Sequence, residues 1–141
     1  MNLRTATHAD AAWINDRYAE VHFIPSDFDR DTIVVAELDG TRAGMGRLVP
    51  AGEHAYELGG MYVSDEHRGR GIARAIIDEL ITLAGDADIY CIPFANLTAL
   101  YASAGFVPSD RATATDHVRA KLDWCARELP EREVVLLRYQ R

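Results

Sequence analysis

Two hydrophobic periods succeed each other along the chain. Leu3 to Ala6 reads as a short strand, and Thr7-His8-Ala9-Asp10 has the form of a capping box with Asp in place of Glu. Ala11, Ile14, Tyr18 and Val21 then recur at helical spacing. Pro25-Ser26-Asp27 and Asp29-Arg30-Asp31 are turn-rich and end that region. Ile33 to Leu38 is β-prone, Asp39-Gly40 is a favoured two-residue hairpin turn, and Thr41 to Val49 predicts the second arm. Pro50 to Glu53 reads as a further turn. His54 to Val63 predicts a third strand, with Gly59-Gly60 as the place for a bulge.

From residue 64 the period lengthens. Ser64 to Gly71 is a polar loop, after which Ile72, Ile76, Leu80 and Leu83 repeat at helical spacing, widened by Ala73, Ile77 and Ala84. Arg74 and Asp78 form an i,i+4 pair on the opposite face, and Gly85 is a natural stop. Ile89 to Phe94 predicts a short buried strand. Asn96 is expected to cap a helix through Ala104 that buries Leu97, Leu100 and Tyr101 and ends at Gly105. The tail predicts a helix over Asp116 to Leu129 and a strand over Glu133 to Tyr139. The fold class expected is therefore α/β (α+β): one mixed, mainly antiparallel twisted sheet of six to seven strands flanked by helices.

Length and composition narrow the function classes. With 141 residues, 48% hydrophobic and 26% charged, the chain is one ordinary globular unit, with no repeat or linker dividing residues 1–141. The formal charge of −7 argues against a general nucleic-acid binder. Cys91 and Cys125 form no disulfide framework or paired-cysteine zinc site, and read as buried thiols in a reducing cytoplasm. His8, His22 and His117 show no metal-ligand spacing, so no metal is expected. No stretch approaches the ~20 apolar residues of a membrane span, and the N-terminus lacks a signal-peptide pattern. A cytoplasmic protein without membrane or nucleic-acid partners is expected. Lys121 is the single lysine, a fact that by itself speaks of composition rather than chemistry.

The sharpest local feature is Arg68-Gly69-Arg70-Gly71-Ile72-Ala73, set between a strand and an amphipathic helix. A helix start presents unpaired N–H groups and the positive end of the dipole. Glycines at 69 and 71 let an anion approach the backbone, and Arg68, Arg70 and Arg74 surround it with cations. A phosphate or pyrophosphate site follows. The loop lacks the Gly-Lys-Ser/Thr ending of a P-loop. As a dinucleotide fingerprint read from Gly69 it would need Gly or Ala where Arg74 stands, and hairpin strands precede it.

Arg68-x-x-Gly71-x-Ala73 following Met61-Tyr62-Val63 resembles the GNAT family of N-acetyltransferases, whose Gln/Arg-x-x-Gly-x-Gly/Ala loop grips the pyrophosphate of acetyl-CoA. Asn96 to Phe106 resembles the family's second signature, an Asn followed five residues on by Tyr and then by Gly-Phe. The similarity covers residues 2–107 well and the 108–141 tail loosely. It implies a single GNAT-like domain that takes acetyl-CoA as cosubstrate and acetylates a primary amine by direct attack in a ternary complex.

Carried onto this chain, the resemblance implies that the backbone of Met61, Tyr62 and Val63 pairs with the pantetheine arm. Amides of Gly69, Arg70, Gly71, Ile72, Ala73 and Arg74 would hold the pyrophosphate beside Arg68, and Asn96 would reach the pantetheine region. Tyr101 would protonate the leaving thiolate. Glu57 occupies the place of a general base in some family members. It is otherwise a solvent-facing strand residue, and both readings stand. If strand alternation holds, Glu57 and Met61 share a face, and a bulge at Gly59-Gly60 would change that parity. Burial is expected to raise the Glu57 pKa.

His54 and His67 read as surface histidines, and Trp13 and Tyr18 as core. Rival functions are a non-catalytic acyl-CoA-binding module, which would have no use for Tyr101, and an aminoacyl-tRNA-modifying toxin, which would want a basic face. The partner expected is a small-molecule or peptide amine, with a homodimer among the assemblies allowed. Acceptor choice should lie with residues 21–30, the turn around Pro50 to His54 and the tail after Val107. The acidic balance by itself would suit a cationic amine.

Overall fold

A computed structural model describes the whole chain, Met1–Arg141. Its elements run β1 (Asn2–Thr5), α1 (Ala11–Glu20), β2 (Thr32–Leu38), β3 (Thr41–Gly52), β4 (Ala55–Val63), α2 (Ile72–Ala84), β5 (Asp88–Cys91), α3 (Thr98–Ser103), β6 (Phe106–Pro108), α4 (Asp116–Glu128) and β7 (Leu137–Tyr139). One seven-stranded sheet forms in the order β1-β2-β3-β4-β5-β7-β6. All neighbours are antiparallel except β4 and β5, which run parallel across the connection through α2. This is the mixed, mainly antiparallel sheet that the alternating segments predict.

Local chemistry explains the first half. The Asp10 carboxylate accepts the Thr7 N–H at 2.7 Å, closing one half of the capping box. Asp39 and Gly40 both take positive φ (52° and 76°), as a two-residue hairpin with right-handed strand twist requires. Two boundaries differ from expectation. β3 does not turn at Pro50 but runs on through Gly52, because Pro50 still pairs with Tyr56 and Ala51 is buried beneath α4. Val21 is exposed, since α1 ends at Glu20.

The sheet separates two layers. The larger core joins α2 and α3 to one face through Ile72, Ile76, Ile77 and Leu80 against Leu48, Leu58, Ile89 and Phe106. Leu83, assigned to this stripe by spacing, is exposed at the helix end, and the width of the buried face is supplied by Ile77 and Ala84. On the opposite face α1 packs Ile14 and Tyr18 on Ile33, Val35 and Met45. α4 packs Val118 there on Ala51, Ala55 and Tyr90. No helix is long and apolar enough to cross a membrane.

Candidate active site

The sheet opens at its centre. β4 pairs with β5 only from Ala55–Asp88 to Leu58–Cys91, where β5 ends, while β4 continues to Val63 against β3 alone. The edge of residues 59–63 facing β5 therefore has no strand partner. Register between β3 and β4 slips between Met45–Tyr62 and Arg47–Gly59, which places the bulge at Gly59-Gly60. Gly60 is required there: φ is +59°, and a Cβ would lie 2.5 Å from the Tyr18 hydroxyl and 2.8 Å from Arg47 Nε. The bulge reverses side-chain parity. Met61 joins the α2 side of the sheet and Tyr62 the α1 side, so Glu57 and Met61 do not share a face.

At one end of this opening lies the loop before α2. Gly69 and Gly71 have φ of +78° and +77°, and a Cβ on either would point into open space. The N–H groups of residues 69 to 74 have no backbone acceptor; the first helical bond is Ala75 N–H to Gly71 C=O at 3.1 Å. Arg68 pairs with Asp65 at 3.1 Å. Arg74 pairs with Asp78 at 3.0 Å and donates to Ser103 Oγ at 3.1 Å. Arg70 is exposed and forms no ion pair. The result is a helix start of free amides with one uncommitted cation, an arrangement chemically able to receive an anion.

At the other end the opening deepens into a cavity of about 110 Å³. Its walls come from residues 22–24 after α1, from Arg47, from residues 57–61, from residues 92–101, and from the inner face of α4. Tyr101 stands in this wall, 3% exposed and edge-on to Phe106 at 5.8 Å. Burial pushes its phenol pKa well above the ordinary value, so the hydroxyl is a proton donor at neutral pH. Asn96 is not the cap of α3. A single 3₁₀ turn over residues 95–97 precedes that helix, Leu97 takes the N-cap position, and the Asn96 side chain is solvent-exposed.

Glu57 is 6% exposed and is not a solvent-facing strand residue. Its Oε1 lies 3.0 Å from His117 Nε2, and its Oε2 accepts from Lys121 Nζ at 3.2 Å. Burial works to raise its pKa, as expected from the sequence, but the hydrogen bond from His117 and the charge of Lys121 outweigh it. The carboxyl is held below its usual value, which corrects that expectation. His117 and Lys121 stand one turn apart on α4, the spacing that puts two side chains on one face. The single lysine thus has a chemical role that composition could not reveal.

Of the segments expected to govern the acceptor, residues 22–24 and the tail helix line the cavity, and the Pro50 to His54 stretch does not. His54 is exposed, while His67 is partly buried against Ser64 Oγ at 2.6 Å. Both cysteines are free, buried and raised in pKa, so neither is an activated thiol. The residue that sequence reasoning missed altogether is Arg47. It is 6% exposed, stacks 4.4 Å from the Tyr18 ring centroid, and faces the cavity. Its only sequence signal is a lone cation within the otherwise apolar run from Ala43 to Val49.

A mixed sheet split beside a glycine-arginine helix start is the frame in which these residues are set. A family model for the acetyltransferase (GNAT) domain matches residues 29–108, more than half of the chain, and the chain belongs to that family. No curated protein matches it in sequence.

Solved structures share its fold. Rv2747 from Mycobacterium tuberculosis, in complex with CoA, is 19% identical with a TM-score of 0.76, over 96% of this chain and 98% of that one. N-acetylglutamate synthase from Neisseria gonorrhoeae, complexed with CoA and N-acetyl-glutamate, is 17% identical with a TM-score of 0.74. The alignment takes in 98% of this chain but 34% of the synthase, so this chain spans about a third of it. A point mutant of spermidine N-acetyltransferase from Vibrio cholerae is 14% identical with a TM-score of 0.70, over 99% and 94% of the two chains. At these identities the likeness is one of fold.

Proposed function

We propose that the protein transfers an acetyl group from acetyl-CoA to a primary amine by direct attack in a ternary complex. The observation that carries this reading is the unpaired edge of residues 59–63, which borders the cavity holding Tyr101 at Gly59 to Met61 and leads along the chain into the loop of free amides at residues 69–74. Bound acetyl-CoA would supply an activated acetyl thioester. Its pyrophosphate matches the amide cradle, with Arg68, Arg70 and Arg74 adding charge. Its extended pantetheine arm would pair with the backbone edge of Met61, Tyr62 and Val63 as an added strand, and Asn96 would reach that arm from the 3₁₀ turn before α3. That neighbours are solved with CoA supports the same reading.

Each remaining role falls to a named group. A buried, protonated phenol at Tyr101 is suited to protonate a departing thiolate. An N–H of the splayed strand near Met61 or Tyr62 is suited to the carbonyl oxygen as it gains charge. Glu57 is ionised, as a base must be, and His117 offers it a half-exposed relay to solvent. Its lowered pKa makes it a weak base, adequate for an α-amino terminus with a pKa near 8 and poor for a lysine-like amine near 10.4. The phenol in the cavity favours an enzyme over a mere acyl-CoA-binding module.

The neighbours' names span amino-acid and polyamine acceptors, which supports a small-molecule amine as the acceptor here. The test is an acceptor screen with acetyl-CoA, read as release of free CoA thiol. Amine-dependent thiol release that Tyr101→Phe suppresses is expected. Tight acetyl-CoA binding with no transfer to any amine would return the protein to a binding module.

A further inference from the structure

Arg47 differs from the other buried or half-buried arginines. Arg4 and Arg42 converge on Asp10, Arg138 is matched by Asp88, and Arg17, whose Nε is also buried without a hydrogen-bond partner, is matched by Glu20. Arg47 has no carboxylate partner. Its Nη2 donates to the Ile24 carbonyl at 2.9 Å, while its Nη1 is fully buried and has no hydrogen-bond partner at all. A buried charged N–H without an acceptor is costly, and such a group in a native fold points to a ligand that completes it. The guanidinium is also fixed before any ligand arrives, by its stack on Tyr18, its tether to Ile24 and the room left by Gly60. Little conformational freedom remains to be lost on binding.

The charge balance of the cavity points the same way. Glu57 is already matched by Lys121 and His117, which leaves Arg47 as an uncompensated cation in a chain whose formal charge is −7. We infer that the acceptor is a small amine that also carries a carboxylate, an amino acid in the simplest case, and that Arg47 receives that carboxylate. This rests on the transferase reading and adds the acceptor's chemical class to it. A guanidinium with a free N–H binds a carboxylate through a charge-assisted hydrogen bond, and that anchor orients the amine within the cavity shared with Glu57 and Tyr101. The expectation from overall acidity, a cationic acceptor, is reversed: a polyamine would meet an unpaired buried cation.

The test compares the L-amino acids with their primary carboxamides and with spermidine as acceptors, after acetyl-CoA binding has been measured by calorimetry. Carboxylates should exceed their carboxamides in kcat/KM by on the order of tenfold to a hundredfold, the span of hydrogen bonds to charged groups. Arg47→Gln should erase this preference by raising acceptor KM, with acetyl-CoA affinity unchanged. Arg47→Lys should recover part of it. The wild-type acid-to-amide ratio stands even if both variants fold poorly. Equal use of acids and amides, preference for spermidine, or transfer to other amines but to no amino acid would overturn the inference and leave the transferase standing. Failure to bind acetyl-CoA would overturn the transferase reading itself.

Discussion

The loop before α2 and the cavity under α4 are built by opposite means. The loop is exposed, contiguous in sequence, and built of backbone: free amides from 69 to 74 displayed by two glycines at positive φ. The cavity is buried and assembled from residues as far apart as Arg47, Glu57, Tyr101 and Lys121, and it works through side chains whose charges are desolvated. A backbone cradle tolerates exposure because its donors are many and its ligand brings its own charge. A side-chain site needs burial, which strengthens each interaction and also makes every unmatched group costly. The two regions should therefore respond differently to substitution.

The sharpest separation is expected from Tyr101→Phe. The ring stays packed on Phe106 and only the hydroxyl is lost, so turnover should fall about a hundredfold while stability and acetyl-CoA affinity hold. Single-turnover kinetics beside calorimetry check both halves. Full turnover with chemistry rate-limiting would assign Tyr101 to packing alone.

Next is Glu57→Gln, which removes the anion between His117 and Lys121. Lys121 and His117 both keep some solvent contact, so the loss of stability should be about 2 kcal/mol, below that for a wholly buried pair. The sign with pH follows from the depressed folded-state pKa. The Glu57 contribution is complete above the ordinary value of 4.5 and is lost as pH falls through the folded value. Denaturation at a series of pH values should show wild type and variant converging below that point. A gap independent of pH would mean that the fold leaves the Glu57 pKa unshifted, and wild-type stability falling as pH rises through 4.5 would mean that the carboxyl is neutral in the fold. Transfer should also slow, with the acid limb of the pH–rate profile changed most.

Gly71→Ala moves the comparison to the loop. Its Cβ meets nothing in the protein, so the structural effect is confined to the positive φ, about 1 kcal/mol of stability. If the open space is where a pyrophosphate sits, acetyl-CoA affinity should fall by more than that strain accounts for. Equal losses in stability and binding would move the pyrophosphate elsewhere. The smallest effect is expected for Arg70→Ala, an exposed cation without an ion pair. Acetyl-CoA affinity should drop only a few-fold, by less at high salt, with Tm unchanged.

Much of this protein was determined by its sequence alone. The Asp39-Gly40 hairpin, the α2 stripe, the bulge at Gly59-Gly60 and the glycine-arginine loop all follow from neighbours within a few residues, where backbone preference and side-chain period act directly. Short-range reasoning also has visible limits. Asn96 was expected to cap a helix, but the Ala95 N–H is taken by the Glu133 carbonyl at 2.8 Å, and the chain there enters a 3₁₀ turn first. Only the tertiary structure decided that Glu57 is ionised although buried, that the single lysine is its partner, and that Arg47 faces the cavity with an N–H to spare. Those properties depend on which charges converge in a desolvated space, and convergence across 64 residues, as between Glu57 and Lys121, leaves no local pattern.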